Sequence, residues 1–226
     1  VGVANGTDAL FLLCKYLPPG EIIVPPFTFT ATAAAIVHAG HKPVFVDVGR
    51  DFNIAANRIE EAITPRTKAI LPVHWAGRPA DMDSIREIAD KHGLQVIEDA
   101  CQAVGATHNG EKAGSMGLGA AFSLHPLKNL NIWGDGGVCT TNDDALAAWL
   151  RKARNHGQRN RDTVDFWGWN SRLDTLQAIV GLHSLKKLPA ITAARQRNAA
   201  ALDQALASIP GVEIVAPCAG VEPAFH

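Results

Sequence analysis

The sequence predicts an α/β fold with three layers, in which helices cover both faces of a mainly parallel central sheet. Along the 226 residues, short apolar runs alternate with longer stretches of helical periodicity, which is typical of repeated strand–helix units. Several apolar runs end in polar residues, as expected where a buried parallel strand delivers side chains to its carboxyl end. Apolar residues make up 47% of the chain, which is enough for a sizeable core.

Local patterns place the individual strands and helices along the chain. The predicted strands are Ile22–Val24, Pro43–Val46, Ala69–Val73, Gln95–Glu98, Ala120–Ser123 and Val138–Thr141. The predicted helices are Thr7–Tyr16, Thr30–His38, Asn57–Ile63, Asp81–His92, Asp143–Asn155, Leu173–Leu188 and Ala190–Ile209. Asp81 and Asn142-Asp143 are expected to provide N-caps, because a side-chain oxygen there can accept from an unpartnered helix N–H. Pro189 is expected to separate or kink the last two helices.

Charge and cysteine content argue against several classes of protein. The 21 basic and 22 acidic side chains give a net charge of −1, so neither nucleic acid nor an anionic membrane is expected as a partner. The apolar stretches are interrupted too early to span a bilayer. Cys14, Cys101, Cys139 and Cys218 form no CxxC pair or disulfide framework, which favours reduced thiols in a cytoplasmic protein. No histidine spacing indicates a metal site.

Residues with reactive side chains follow two of the predicted strands. Asp99 comes at the end of one apolar strand, Ser123 ends another, and Lys128 lies in the apolar loop beyond it. Ligands of open α/β sheets bind at the carboxyl ends of the strands, so these side chains are expected to share a site. A lysine in a dry site can lose its proton near neutral pH and act as an amine. The alternatives are a solvated surface charge for Lys128 and a helix cap for Asp99.

The start of the first predicted helix is a candidate anion site. Gly6-Thr7-Asp8 opens the helical pattern there. The first N–H groups of a helix have no acceptor within it, and the helix dipole favours an anion at that end. The Ser123 hydroxyl is expected to contribute to the same site. A simple N-cap formed by Thr7 or Asp8 is the alternative interpretation.

Segments along the whole chain resemble the motifs of one enzyme family. They are Asn5-Gly6-Thr7-Asp8-Ala9-Leu10, Val24-Pro25-Pro26-Phe27-Thr28-Phe29-Thr30-Ala31-Thr32, Pro72-Val73-His74-Trp75-Ala76-Gly77, Glu98-Asp99-Ala100, Phe122-Ser123, Lys128-Asn129, Gly134-Asp135-Gly136-Gly137 and Asn170-Ser171-Arg172-Leu173-Asp174. In order and spacing they resemble the DegT/DnrJ/EryC1/StrS family, the pyridoxal-phosphate-dependent sugar aminotransferases of fold type I. The combination is much more specific than any single segment.

The resemblance implies roles for the site residues around the cofactor pyridoxal 5'-phosphate. Lys128 corresponds to the lysine that forms the Schiff base and moves a proton during transamination. Asp99 corresponds to the acid that pairs with the pyridine nitrogen through a charge-assisted hydrogen bond. Gln102 is placed near the phenolic oxygen, and Phe29 lies against the ring, where its aromatic face offers stacking without fixing charge.

The resemblance also implies how the cofactor phosphate is bound. Backbone N–H groups at Gly6, Thr7 and Asp8 do most of this work, together with the Ser123 hydroxyl. The Asp8 side chain then caps the helix or faces away, because a carboxylate next to a phosphate would be repelled.

The same resemblance implies a homodimer with shared active sites. Asn170 matches a residue that reaches into the phosphate site of the neighbouring subunit, which is compatible with two-fold symmetry. An ion pair between Arg172 and Asp174 is expected to support that loop. Residues 1–188 are expected to form the cofactor-binding large domain, and residues 189–226 a linking helix and the start of a small domain. The N-terminal segment and most of the small domain are expected to lie outside this sequence.

The function implied by the resemblance is transamination of a sugar. An amino acid, most simply glutamate, would donate its amino group to a keto-sugar, nucleotide-linked, in amino-sugar biosynthesis for a surface polysaccharide or a glycosylated metabolite. One alternative is sugar dehydration on the same fold, although some dehydrating relatives carry histidine at the position of Lys128. A non-catalytic sensor or scaffold that retains the fold is the other.

Overall fold

A computed structural model describes residues 1–226 and contains twelve strands and six α-helices. The strands are β1 (Gly2–Val3), β2 (Glu21–Val24), β3 (Lys42–Phe45), β4 (Thr67–Ile70), β5 (Gln95–Asp99), β6 (Thr107–His108), β7 (Glu111–Lys112), β8 (Gly119–Ser123), β9 (Gly137–Thr140), β10 (Gln158–Asn160), β11 (Thr163–Val164) and β12 (Val221–Glu222). The helices are α1 (Gly6–Tyr16), α2 (Thr30–His38), α3 (Met82–His92), α4 (Asp144–Ala153), α5 (Thr175–Leu185) and α6 (Leu188–Leu206).

The central sheet has seven strands in the order β1-β9-β8-β5-β4-β2-β3. The strands β3, β2, β4, β5 and β8 pair in parallel. Strand β9 pairs antiparallel with β8, and β1 pairs antiparallel with β9. The predicted α/β class with a mainly parallel sheet is therefore confirmed. Parallel pairing also brings the carboxyl ends of β5 and β8 to one edge, where Asp99 lies opposite Ala121.

Helices cover both faces of this sheet and give the predicted three layers. Helix α1 packs on β8 and β9 and contacts α2 and α4, while α3 packs on β4 and β5. Each face has its own buried apolar cluster, represented by Leu10 and Leu13 on one side and by Ile70 and Ile85 on the other. Full burial of one such side chain contributes about 1.5–3 kcal/mol. No helix combines the length and apolar character that crossing a membrane requires.

The predicted elements agree with the structure except in one segment. Asn57–Ile63 is not an α-helix but two 3₁₀ turns, Ala56–Arg58 and Glu60–Ala62. Nucleating a helix is costly, and a short segment needs tertiary packing to support it. Here only Ile59, between the two turns, is fully buried, so the segment has no apolar stripe to stabilise a longer helix.

The helix boundaries are explained by their caps. Asp81 accepts from the Ser84 N–H at the start of α3, and Asp143 accepts from the Leu146 N–H at the start of α4, which confirms both predicted N-caps. Pro189 lies in the first turn of α6 and separates it from α5, a position where a missing N–H costs nothing. The short strands β1, β6, β7, β10, β11 and β12 were not predicted, because two or three residues carry no periodic signal.

Candidate active site

A cavity of about 470 Å³ lies at the carboxyl edge of the sheet. Most of the predicted site residues line it, namely Gly6, Thr7, Phe29, Asp99, Gln102, Ser123 and Lys128. Asp8 and Asn170 are not part of this lining. The edge position follows from the parallel pairing of β5 and β8, since neighbouring parallel strands deliver their last residues to the same place.

Asp99 is the last residue of β5 and is 5% exposed. Its Oδ2 accepts a 2.8 Å hydrogen bond from the Thr32 hydroxyl, and its Oδ1 accepts one of 3.1 Å from the Cys101 N–H. Both donors are neutral, and a carboxylate has further lone pairs to share. A buried carboxylate is normally paired with a cation, so the arrangement suits a positively charged group of a ligand in the cavity.

Lys128 lies in the loop after β8, and its main chain is fixed on both sides. Its N–H donates to the His125 carbonyl at 2.8 Å, and its carbonyl accepts from Asn131 Nδ2 at 3.1 Å. The next residue, Asn129, is buried and donates through Nδ2 to the carbonyls of Ala224 and Phe225. The side chain of Lys128 is half-buried in the cavity wall and makes no ion pair within the chain.

The start of α1 lies against the end of β8. A Cβ on Gly6 would stand 2.8 Å from Ser123 Cβ and 3.2 Å from Cys101 Sγ, so only glycine permits this approach. Asn5 is the N-cap, and its Oδ1 accepts from the Asp8 N–H at 2.7 Å. The N–H groups of Gly6 and Thr7 have no acceptor within the helix. The cavity therefore has an anion-binding end made of helix N–H groups and a neighbouring hydroxyl.

Asp8 is turned away from that end of the cavity. Its Oδ2 accepts a 2.6 Å hydrogen bond from the Ser171 hydroxyl, and Ser171 Oγ accepts in turn from the Ala4 N–H at 3.1 Å. The carboxylate thus joins α1 to the segment that precedes α5. This leaves the anion-binding end without a nearby negative side chain from Asp8.

Gln102 and Phe29 both line the cavity. The Oε1 atom of Gln102 accepts a 2.7 Å hydrogen bond from the Ala76 N–H, which leaves the two N–H groups of Nε2 as donors. Phe29 is the residue before α2 and is 71% exposed. Its ring therefore has an open face available for stacking.

The loop that carries Asn170 differs from its prediction in one respect. Asn170 is exposed and forms an isolated bridge with Asn155. Arg172 donates to Asn155 Oδ1 at 2.9 Å, so the expected ion pair between Arg172 and Asp174 is wrong. The reason is that the Arg172 guanidinium faces the loop after α4, where it meets Asn155.

Two histidines of this region have contacts that the sequence did not reveal. His74 is fully buried and its Nε2 lies 2.9 Å from Glu98 Oε2. His226 lines the cavity, where burial, together with the charges of Lys128 and Arg195, lowers its pKa to about 4. The one available signal was Glu98, since a charged residue inside an apolar strand requires a buried partner. Nothing local indicates His226, because its neighbour Asn129 is 97 positions away in sequence.

Cys101 also borders the cavity, but its chemistry is not that of a nucleophile. Burial, reinforced by the charge of Asp99, raises the pKa of the Cys101 thiol well above its ordinary value. The thiolate is the reactive form, so Cys101 stays a thiol and packs between Gly6 and the end of β5.

Fold and site together define a class of protein. A mainly parallel α/β sheet with a lysine and a carboxylate at its carboxyl edge, beside a helix N-terminus, is the architecture of the fold type I proteins. The chain belongs to the DegT/DnrJ/EryC1/StrS aminotransferase family, whose model matches residues 1–224.

Individual relatives show how close this likeness is. A UDP-N-acetyl-3-dehydro-alpha-D-glucosamine 3-aminotransferase from Acidithiobacillus ferrooxidans is 50% identical over 203 residues, which cover 88% of this chain and 55% of that protein. The crystal structure of S. venezuelae DesV in complex with a ketimine intermediate has a TM-score of 0.96 and 42% identity, over 100% of this chain and 62% of that one.

A further solved structure contains a cofactor. NtdA from Bacillus subtilis, with bound cofactor PMP, has a TM-score of 0.89 and 34% identity, over 100% of this chain and 53% of that chain. The chain thus spans little more than half the length of these relatives.

Proposed function

We propose that this chain forms the cofactor-binding part of a pyridoxal-phosphate-dependent aminotransferase in the cytoplasm. In this proposal, residues 1–188 are the large domain and residues 189–226 lead into a small one. The substrates would be an amino-acid donor, glutamate, and the ketone of a nucleotide-linked sugar, in amino-sugar biosynthesis for a surface polysaccharide or a glycosylated metabolite. One observation carries the proposal: Lys128 and Asp99, neither paired with an opposite charge of the chain, line one cavity beside the start of α1.

The residues in the cavity fit the cofactor by their chemistry. The amine of Lys128 suits its aldehyde, the carboxylate of Asp99 suits its ring nitrogen, and the N–H groups of Gly6 and Thr7 with the Ser123 hydroxyl suit its phosphate. When bound, pyridoxal phosphate supplies a ring that accepts electrons from a substrate carbon. The cavity volume of about 470 Å³ is that of a small-molecule site.

Each residue then has a defined task. Lys128 would hold the cofactor through its amine and move a proton to and from the substrate carbon. Asp99 would keep the ring nitrogen protonated, held in place by Thr32 and by the Cys101 N–H. Phe29 would cover the ring face, and Gln102 would donate to an oxygen of the cofactor through Nε2.

We further propose that the active unit is a homodimer with shared sites. Leu176, Ile179 and Leu182 of α5 are 78%, 59% and 63% exposed, and no residue of this apolar helix is buried. Isolated exposed apolar residues are common, but a whole helix face of them favours an interface. Asn170 lies just before this helix and outside its own cavity, which supports a role in the phosphate site of a second copy.

Transfer of isotopically labelled nitrogen tests the proposed reaction. The protein is loaded with pyridoxal phosphate and given labelled glutamate with a nucleotide-linked keto-sugar, and the sugar product is analysed by mass spectrometry. We expect the label in the sugar with wild type. We expect none with Lys128→Arg, because arginine keeps the charge but stays protonated. A dehydrated sugar without nitrogen, or no conversion of any such sugar, would contradict transamination.

A further inference from the structure

A buried hydrogen-bonded pair, His74 and Glu98, lies behind the cavity, on the opposite face of β5 from Asp99. His74 and Glu98 are both 0% exposed, and His74 Nε2 lies 2.9 Å from Glu98 Oε2. Successive side chains of a strand point to opposite faces, so Asp99 reaches the cavity while Glu98 points away from it. Glu98 also accepts the N–H groups of Gly114, Met116 and Gly117 at 2.7–2.9 Å, which anchors the pair firmly.

The hydrogen bonds of His74 show which of its ring nitrogens donates and which accepts. Its Nδ1 lies 3.2 Å from the Ala80 backbone N, which can only donate, so Nδ1 is the acceptor. The ring proton of a neutral histidine is then on Nε2 and is donated to Glu98. The His74 side chain therefore connects two separate structures, the end of β5 through Glu98 and the far end of the 75–80 loop through Ala80.

The 75–80 loop borders the cavity through Trp75 and carries a strained residue, Ala76. Ala76 has φ 51°, inside the 3₁₀ turn Trp75–Gly77. A non-glycine residue keeps a positive φ only where its surroundings enforce it. The two ends of the loop are held by buried side chains, because the Trp75 N–H donates to Asn53 Oδ1 at 3.0 Å and the Ala80 N–H donates to His74.

The strained residue orients a side chain of the cavity. The Ala76 N–H donates at 2.7 Å to Gln102 Oε1. A carboxamide can present either its oxygen or its N–H groups to a ligand, and this bond turns the oxygen of Gln102 toward the loop. Its Nε2 is left to face the space that Gln102 lines together with Lys128.

We propose that His74 is a positioning residue, which acts on the bound cofactor through the 75–80 loop and the carboxamide of Gln102. This inference rests on the proposed function, because the cofactor is the group that Gln102 would contact. The inference adds that the buried pair of His74 and Glu98, without touching the cofactor, determines the hydrogen bond that Gln102 would make to it. Without the acceptor at Nδ1, the loop can relax, and the Ala76 N–H no longer selects the orientation of Gln102.

The variant His74→Gln tests this role. Its amide can still reach Glu98 but offers nothing to the Ala80 N–H, whereas His74→Asn places an acceptor where Nδ1 stood. The readout is the pH midpoint at which the visible absorbance of bound pyridoxal phosphate titrates. It is measured in a double-mutant cycle with Gln102→Ala, which isolates the coupling between the two residues. His41→Gln is the matched control, since His41 is also a buried histidine but bonds to the Cys14 carbonyl, away from the cavity.

We expect His74→Gln to shift the midpoint by about one pH unit, the size of one neutral hydrogen bond. The shift should have the direction seen with Gln102→Ala and should add nothing in the double variant. His74→Asn and His41→Gln should leave the midpoint in place. An unchanged midpoint in His74→Gln, or a shift fully additive to that of Gln102→Ala, would overturn the inference while leaving the proposed function intact.

The variant Asn53→Ala and the spectrum of wild type provide two further tests. If His74→Gln does not fold, Asn53→Ala removes the other anchor of the same loop and should give the same non-additive shift. An unmoved midpoint in Asn53→Ala would then overturn the route through the loop. If wild type itself shows no visible band with pyridoxal phosphate, the proposed function fails, and this inference fails with it.

Discussion

The Thr32 hydroxyl donates a 2.8 Å hydrogen bond to Oδ2 of Asp99. Because that hydroxyl has one proton, Thr32 accepts from the Thr28 hydroxyl, which lies 2.8 Å away. This chain of hydroxyls connects the start of α2 to the end of β5. It fixes the orientation of the carboxylate before any ligand arrives, which is the kind of preorganisation that makes an electrostatic contact effective.

Replacement of Asp99 by asparagine tests the pairing with the cofactor ring. The variant keeps the shape and can keep the bond to Thr32, but a neutral amide cannot hold a protonated ring nitrogen. We expect Asp99→Asn to bind pyridoxal phosphate and to lose about 10- to 100-fold in the rate of the half-reaction with glutamate, the value of a hydrogen bond to a charged group. Thr30→Val, on the exposed start of α2, is the control. An unchanged rate in Asp99→Asn would rule out the pairing.

The contact between Gly6 and Ser123 predicts a stability effect. In Gly6→Ala, the added methyl group would stand 2.8 Å from Ser123 Cβ, so the start of α1 must move away from β8. We expect a loss of about 1–3 kcal/mol in unfolding free energy, measured by urea denaturation, together with weaker cofactor binding. Gly181→Ala, within α5 and facing open space apart from Ile132, should be neutral or stabilising, as expected for a helix interior. Equal stability of the two variants would show that the close approach is not required.

The environment of Glu98 predicts how stability depends on pH. Burial alone would raise its pKa, but the hydrogen bond from His74 and the N–H groups of Gly114 and Met116 lower that pKa overall. A carboxyl whose pKa is lower in the folded state contributes stability above its unfolded pKa of about 4.3, and this is lost as pH falls through the folded value. We expect Glu98→Gln to be less stable at neutral pH and to show a flatter decline in acid. Glu87→Gln, at an exposed position of α3, should keep the wild-type slope, and an equally steep decline in Glu98→Gln would contradict this account.

Mixing two defective proteins tests the shared-site model. If Asn170 serves the neighbouring cavity, a dimer of one Asn170→Ala subunit and one Lys128→Ala subunit has one site with both lesions and one intact site. Statistical mixing of a two-fold dimer should then restore about a quarter of the wild-type activity per subunit. If mixed dimers form and activity stays at the average of the two parent proteins, Asn170 serves its own chain.

That Asp99 and Ser123 line one cavity was predictable because it follows from local patterns. Asp99 and Ser123 end apolar strands, and parallel pairing necessarily brings such ends together. Asn57–Ile63 was mispredicted because its helical spacing has only Ile59 to bury. The contacts of His74 with Glu98 and of His226 with Asn129 were not predictable, since they depend on how loops distant in sequence fold back on the sheet.

The proposed function requires that the amine of Lys128 holds the cofactor. Borohydride reduction of the protein loaded with pyridoxal phosphate converts the bond between amine and cofactor into a stable one, and peptide mass spectrometry then locates it. We expect the added mass on the peptide that contains Lys128, and no such modification in Lys128→Ala. A label on another lysine, or no label on wild type that has been saturated with cofactor, would contradict it.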